Sequence, residues 1–480
     1  MNEIELRLAS LRELMKREHL SAFIFPSTDA HQSEYVADHW RGREWISGFN
    51  GSAGTAVVTM KSAALWTDSR YFLAAEKQLE GTEYQLMKLK IEGTPTIAEW
   101  LEKELQEVQS PEVGLDGMVN SYNYVKDLIY SLRKLGGITL RTNLDPLAQI
   151  WENRPSLPAN PVEIQPLEYA GETLASKVAR IRKSLRELHA DGMLVSALDD
   201  IAWTLNLRGT DVHCNPVFVS YLLIESGKVS LFVDDNKLSP EVKQYLQDNQ
   251  VSLYNYNKVE KCLESYSEYN ILLDGNETSY YLWKAVKCQE IVAAGSPIPA
   301  MKAVKNKAEI EGYHSAMLKD GVAMVKFLKW LKPAVEAGGQ TEISIDEKLT
   351  SLRAEQKLFR DISFDTIAGY AQHGAIVHYE ATPETDVVLK PEGLILIDSG
   401  AQYQDGTTDI TRTIALGPVS QEMKHVYTLV LKAHIQLELV KFPDGASGTQ
   451  LDAVARECMW REGYNFLHGT GHGVGSYLCV

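Results

Sequence analysis

Asp398, Asp409, His378, His468 and His472 are the residues of this sequence whose types and spacing could do chemistry together. The two aspartates sit in the stretch GLILIDSGAQYQDGTTDITRT, from Gly393 to Thr413. The apolar run Leu394-Ile395-Leu396-Ile397 reads as a buried strand, and it ends on a charge, Asp398. The chain then passes Tyr403-Gln404-Asp405-Gly406, where Asp-Gly is a hairpin turn signal, and returns through the β-branched segment from Thr407 to Thr413. Positions 398 and 409 are symmetric about the junction of Tyr403 and Gln404. A hairpin folded there sets the two carboxylates side by side, with a bulge absorbing the offset from the Asp-Gly signal. Two carboxylates in a half-buried sheet repel and lose hydration, so they must share a proton or hold a cation. Asp405, inside the turn, reads as an ordinary solvated turn carboxylate.

The histidines fall on either side of this hairpin. Upstream, Gly374-Ala375-Ile376-Val377 reads as an apolar strand that delivers His378. Downstream, the run HGTGHGVG from His468 to Gly475 alternates glycines with two histidines four apart. Glycines this dense oppose both helix and strand packing, so the segment reads as backbone passing close to something while holding His468 and His472 at a site. His31, His213, His314, His373, His425 and His434 read as ordinary core or surface residues. Competing signatures are missing: there is no H-E-x-x-H, no G-x-S-x-G elbow and no phosphate-binding glycine loop. A carboxylate-and-imidazole set is what remains.

The elements that must position this set are preceded by two similar stretches. A helix from Leu6 to Leu20 leads to the strand Ala22-Phe23-Ile24-Phe25. From Lys177 a second helix, with Val178, Ile181, Leu185 and Leu188 on one face, leads to Met193-Leu194-Val195. Later matches continue the parallel: Thr55 to Thr59 with Val217 to Tyr221, and Ala64 to Asp68 with Ser230 to Asp234. Two similar α/β units are the economical reading, joined by the proline-rich linker Asn153 to Pro161. A second boundary lies at Gly295-Ser296-Pro297-Ile298-Pro299. Domains are therefore expected over residues 1–155, 156–300 and 301–480. The third opens with a long helix whose apolar stripe is read as Ile310, Tyr313, Met317, Val322, Val325, Leu328 and Leu331. Thr341 and Ser344 read as caps of the next helix, and a further helix from about Gln421 to Leu439 is expected to cover one face of the hairpin sheet. In the two units, Asp199-Asp200 and Asp234-Asp235 read as strand-end or cap residues, and Arg41-Gly42-Arg43 as a solvated basic loop.

A chain of 480 residues, 44% hydrophobic and 23% charged, is an ordinary globular composition too large for one core. The net charge of -16 argues against a general binder of nucleic acid or of anionic membranes. No apolar span is long enough to cross a bilayer, and the N-terminus reads as a charged amphipathic helix with no secretory leader. The five cysteines are scattered and lack C-x-x-C spacing, which suits free thiols in a reducing cytoplasm.

Asp398 and Asp409 in the frame IDSGAQYQDGTTDITRT, with AIVHY upstream and LHGTGHGVGSYL downstream, resemble the Xaa-Pro aminopeptidases (aminopeptidase P) of the pita-bread metallopeptidase family M24. The similarity extends along essentially the whole chain and is to the long, three-domain cytosolic type. It implies an α/β protein with two creatinase-like N-terminal α/β domains followed by a pita-bread α+β catalytic domain. It further implies that Asp398 chelates one metal, Asp409 bridges two and His472 ligates the other, with manganese as the ion. His378 and His468 would bind substrate and donate hydrogen bonds to the developing oxyanion. The substrates would be peptides with an N-terminal Xaa-Pro, and the enzyme a cytoplasmic homodimer.

The family pattern continues with a His-Glu pair and two metal-binding glutamates, whereas this sequence stops at Val480. On that ground the catalytic domain is read as incomplete at its C-terminus, and the 480-residue chain is expected to bind metal weakly and turn over poorly. Two alternatives stay open on sequence alone. One is a prolidase- or creatinase-type hydrolase, which the duplicated N-terminal unit and the two aspartates oppose. The other is a catalytically impaired or non-catalytic peptide-binding scaffold that lacks the glutamates.

Overall fold

The structure, a computed structural model, describes residues 2–480. The first unit opens with helix α1 (Glu3–Arg17), capped by Asn2 in a reciprocal capping box with Glu5. Strands β1 (Ala22–Pro26), β2 (Thr55–Thr59), β3 (Ala63–Thr67), β4 (Tyr84–Lys88), β5 (Glu112–Leu115) and β6 (Thr139–Arg141) form one sheet in the order β4-β3-β2-β1-β5-β6. The second unit repeats the arrangement. Helix α2 (Leu174–Glu187), capped by Thr173, precedes β7 (Gly192–Val195), β8 (Ser220–Glu225), β9 (Val229–Val233), β10 (Val251–Tyr254), β11 (Asn270–Leu273) and β12 (Glu290–Ala293). Their order is β10-β9-β8-β7-β11-β12. Strand for strand this is the same topology, with antiparallel pairs in the middle and parallel pairs outside. The two similar units read from the sequence are thus two copies of one fold. His31 lies buried where they meet, bonded to Ser196 O (3.0 Å) and Tyr256 Oη (2.9 Å). Arg43 is buried and not a solvated loop residue; its guanidinium caps the carbonyls of Phe49 and Gly51.

The third region begins with helix α3 (Lys307–Ala337), followed by α4 (Glu342–Ala354), capped as expected by Thr341 with Ser344. Small sheets follow, built from β13 (Phe359–Ile362), β14 (Ile367–Tyr370), β15 (Leu394–Ser399), β16 (Ala401–Tyr403), β17 (Gly406–Thr407) and β18 (Ile410–Ala415). Helices α5 (Gln421–Leu439) and α6 (Gly448–Arg461) come last, before an irregular segment to Val480.

Helix α3 uses only part of the stripe expected of it. Leu331 is buried and Tyr313 and Leu328 are partly buried, but Ile310, Met317, Val322 and Val325 are exposed, and Gly312, Ala316, Asp320, Ala323 and Phe327 fill the rest of the buried face. The reason is steric and electrostatic. The helix lies so close to the hairpin tip that a Cβ at Gly312 would stand 2.0 Å from the Asp405 carbonyl oxygen, which only a small residue permits. Asp320 is tolerated there because it is paired. Helix α5 has the expected bounds but packs through Leu429 and Ala433 on Cys458 and Met459 of α6, and does not cover the sheet. All five cysteines are free, and among the described residues no helix is long and apolar enough to cross a membrane.

Candidate metal centre and active site

Strand β15 alternates: Ile395, Ile397 and Ser399 are buried, while Leu394, Leu396 and Asp398 face the other side and are only partly covered. That alternation resolves the oddity of a charge ending an apolar strand. The hairpin turns one residue later than its symmetry suggested. Tyr403 pairs with Gly406 and Gln402 with Thr407, and the same register carries Asp398 opposite Thr411, with no bulge between them. Asp409 is therefore the diagonal neighbour of Asp398, two positions from its partner and on the same face. Thr411 Oγ1 donates to Asp398 Oδ1 at 2.5 Å. Burial and the Asp398 carboxylate push the Asp409 carboxyl up to about 6, a partial offset coming from His472.

His472 reaches this pair from the glycine-rich loop, its Nε2 lying 3.5 Å from Asp409 Oδ2. Its Nδ1 is 2.9 Å from the carbonyl of Gly473, so a neutral ring carries its proton on Nδ1 and presents the Nε2 lone pair to the carboxylates. Asp409 thus touches both Asp398 and His472. Two like-charged carboxylates, one of them pushed up toward neutrality, beside an imidazole lone pair form a donor set that fits a divalent cation.

The loop that carries the histidines is held from several sides. Arg456 on α6 donates to His468 O at 2.8 Å, and Ser69 Oγ of the first unit donates to Leu467 O at 2.9 Å. Fully buried Arg208 of the second unit donates to Ser476 O and Tyr477 O, and Gln402 Nε2 donates to Leu478 O at 2.8 Å.

His378, Asp398, Asp409 and His472 line one cavity of about 1030 Å³, open to solvent and walled by both N-terminal units. His378 is not delivered by a strand: residues 371–375 form a 3-10 turn, and the histidine follows in an irregular bend. The turn is fixed by His373 and Tyr379, which both bond the buried Glu342 carboxylate. Burial first, then the Arg70 guanidinium, lower the His378 imidazole to about 4, so it is neutral near pH 7. His468 stands apart from the others, lining an adjoining cavity of about 270 Å³ with Asp68, Arg70 and Lys90. Its Nδ1 lies 2.7 Å from Gly469 O, which leaves Nε2 of a neutral ring as an acceptor.

Asp405 is not a solvated turn carboxylate. It is buried at the hairpin tip and gripped by Lys319 at 2.6 and 2.8 Å. Sequence reasoning also missed what the units bring to the cavity. Tyr71 Oη lies 2.9 Å from His378 Nδ1, and Arg70 holds Asp68 in a bidentate pair at 2.9 and 2.8 Å. His213, read as ordinary, lines the cavity and pairs with Asp365 at 2.8 Å; these two and Cys214 offer ligand atoms all within 4.8 Å of one another. The ion pair accounts for the first two, and burial beside Asp365 raises the Cys214 thiol, keeping it protonated. Asp68 and Arg70 are two positions apart, but Tyr71 and His213 meet partners 307 and 152 positions away, and no local pattern marks them.

Fold and site together define a metallopeptidase with duplicated N-terminal units. Residues 311–480 match the model of metallopeptidase family M24, and residues 7–140 and 153–309 each match a creatinase/prolidase N-terminal domain. The probable Xaa-Pro aminopeptidase P of Paracoccidioides lutzii is 40% identical over 99% of this chain and 79% of its own length. The crystal structure of an X-prolyl aminopeptidase from Caenorhabditis elegans, described as a cytosolic enzyme with a di-nuclear active site, superposes with a TM-score of 0.94 at 34% identity. That match covers 100% of this chain and 80% of the other. An Xaa-Pro dipeptidase from Bacillus anthracis shares the fold at a TM-score of 0.52 and 22% identity, over 63% of this chain and 82% of its own. The chain belongs to the Xaa-Pro aminopeptidase P family, and it is a metal-dependent aminopeptidase; the scaffold reading is not favoured.

Proposed function

We propose that the protein removes the N-terminal residue from peptides whose second residue is proline, as the names of its relatives describe. The observation that carries this reading is the contact of Asp409 with both Asp398 and His472 inside a cavity large enough for a peptide. Asp398, Asp409 and His472 are the residues that would hold the two divalent ions of this centre. A set of carboxylates and one imidazole suits manganese better than a thiolate-seeking ion. Bound there, the ions would lower the pKa of a water and polarise the scissile carbonyl.

The chain's own residues do the rest. His378, neutral and half-buried, donates a hydrogen bond to the carbonyl oxygen as negative charge develops on it. His468, whose Nδ1 faces the Gly469 carbonyl, offers Nε2 as an acceptor that suits a peptide N–H better than an oxyanion. Residues of both N-terminal units wall the cavity beside these groups. We assign the three domains to residues 1–155, 156–300 and 301–480, the working location to the cytoplasm, and the assembly to a homodimer.

The test is to strip the protein with a chelator, add Mn2+ and follow release of the free N-terminal amino acid from an Xaa-Pro-Xaa peptide and its Xaa-Ala-Xaa counterpart. In parallel, Mn2+ binding is titrated for wild type and Asp409→Asn. Mn2+-dependent cleavage of the proline peptide alone, slow in the 480-residue chain and lost together with Mn2+ binding in the variant, is expected. Equal Mn2+ binding by wild type and variant would overturn the site assignment. Equal cleavage of both peptides would overturn the substrate.

A further inference from the structure

We propose that Tyr71, supplied by the first N-terminal unit, is a positioning residue for His378: its phenol donates to Nδ1 and so fixes the ring in the form that carries its proton on Nε2, toward the cavity. The inference rests on the reading of His378 as the donor facing the substrate.

The geometry is a short relay. Ser52 Oγ lies 2.6 Å from Tyr71 Oη, which lies 2.9 Å from His378 Nδ1. The rings of Tyr71 and His378 meet edge to face, with centroids 5.4 Å apart. Tyr71 is buried, backed by the Phe49 ring at 5.8 Å and covered by the Arg70 guanidinium at 5.2 Å, so its hydroxyl has little freedom to turn. Among the described residues, His378 Nε2 has no protein partner.

The relay has one proton per hydroxyl and one on the neutral ring, which leaves two arrangements. In the first, Ser52 donates to Tyr71, Tyr71 donates to Nδ1, and the ring N–H points into the cavity. In the second, Nδ1–H donates to Tyr71, Tyr71 donates to Ser52, and a lone pair points into the cavity. The first is favoured, because a phenol is the strongest donor of the three groups and an imidazole nitrogen the strongest acceptor, so they pair. Burial raises the Tyr71 phenol, which keeps it a donor at neutral pH.

A purely local function is thereby assigned to a residue far outside the catalytic region, 307 positions before the histidine it serves. A neutral histidine in the wrong tautomer cannot donate to an oxyanion, so loss of the phenol should act on the chemical step more than on binding.

The experiment is long-range proton–nitrogen correlation NMR on protein labelled with 15N-histidine at pH 7, the His378 signals being those that vanish in His378→Gln. Wild type should show the Nε2–H pattern. Tyr71→Phe, which keeps the ring and removes only the hydroxyl, should show mixed tautomers. In the Mn2+-loaded enzyme Tyr71→Phe should lose about 10–100-fold in kcat with KM within about twofold, on the scale of other histidine-orienting partners. Ser52→Ala removes the competing acceptor for the phenol and should leave the Nε2–H pattern fixed with kcat close to wild type. An Nδ1–H pattern in wild type, an unmoved tautomer in Tyr71→Phe, or a shift toward Nδ1–H in Ser52→Ala would overturn the proposal. A fixed Nε2–H tautomer with full activity in His378→Leu, which has no donor, would instead sink the donor role while leaving the Tyr71 assignment intact.

Discussion

Asp320 and Arg353 join helix α3 to helix α4 with neither side chain exposed to solvent, Arg353 Nε standing 2.6 Å from Asp320 Oδ1. The same carboxylate accepts from Thr408 Oγ1 at 2.7 Å, and Thr408 is the residue next to Asp409. The buried pair therefore underpins the outer strand of the metal hairpin. Ser363 and Ala401 complete the support, bonding Thr408 O at 2.8 Å and Thr408 Oγ1 at 2.9 Å.

Removing one partner leaves a charge buried with nothing to neutralise it. Arg353→Met should cost about 3–5 kcal/mol of stability and weaken Mn2+ binding as the hairpin loosens. Denaturant unfolding followed by intrinsic fluorescence, with the transition of the third region resolved by limited proteolysis, measures the first. A loss below about 1 kcal/mol would show that the pair contributes no more than a surface contact.

Asp409→Asn should do two opposite things. The folded carboxyl titrates near about 6 against an ordinary 3.8, so between these values the metal-free folded chain keeps a proton that the unfolded chain has lost. Stability from this group therefore falls as pH rises through that window and stays lost above it. The amide removes the repulsion. The metal-free variant should be more stable than wild type at pH 7 by on the order of 1 kcal/mol, screened because the carboxylate is part-exposed, and equal to it near pH 4. Added Mn2+ should stabilise wild type and leave the variant unmoved. Thermal melts at the two pH values, with chelator and with Mn2+, read both effects.

Gly400→Ala probes the junction between the strands bearing Asp398 and the turn. A Cβ there would lie 2.0 Å from Thr408 O and 2.2 Å from Ser363 Oγ, so the hairpin must part to admit it. A destabilisation of about 1–3 kcal/mol and a matching loss of Mn2+ affinity are expected. Unchanged affinity at full stability would mean the strands can separate without disturbing the aspartates.

His378 supplies the pH signature. Held at about 4 against an ordinary 6.5, it stays neutral in the folded chain while the unfolded chain takes up a proton, so stability falls as pH drops through that interval. In the metal-free protein its NMR signals should not titrate between pH 8 and about 5. A midpoint near 6.5 would mean the ring is solvated.

How much of this could be read in advance depended on how local the signal was. The duplicated units were legible because helix-then-strand order repeats in the sequence, and the sheets repeat in the same order. The bounds of α5 agree with the helix read from the sequence, and the structure adds Ser420 as its cap. Asp398, Asp409 and His472 were legible from type and spacing, and the structure gathers them. Most of the buried face of α3 was not, because hydrophobicity is a poor guide where close approach demands Gly312 and Ala316 and where Asp320 is neutralised by a distant arginine. Tyr71, Arg70 and Arg208 were invisible for the same reason. Each matters through a neighbour hundreds of positions away.

Arg208 gives the duplication an asymmetric consequence. The first copy lends Tyr71 to the catalytic cavity, while the second, through this one arginine, grips the backbone just beyond the glycine-histidine loop. The second copy contributes nothing to the Asp398, Asp409 and His472 set, yet it behaves as a mould in which that set is cast. Loading the metal should then slow hydrogen exchange in amides around Arg208, remote from any ion. Of two copies of one fold, one works on the substrate's surroundings and one keeps the tool in shape.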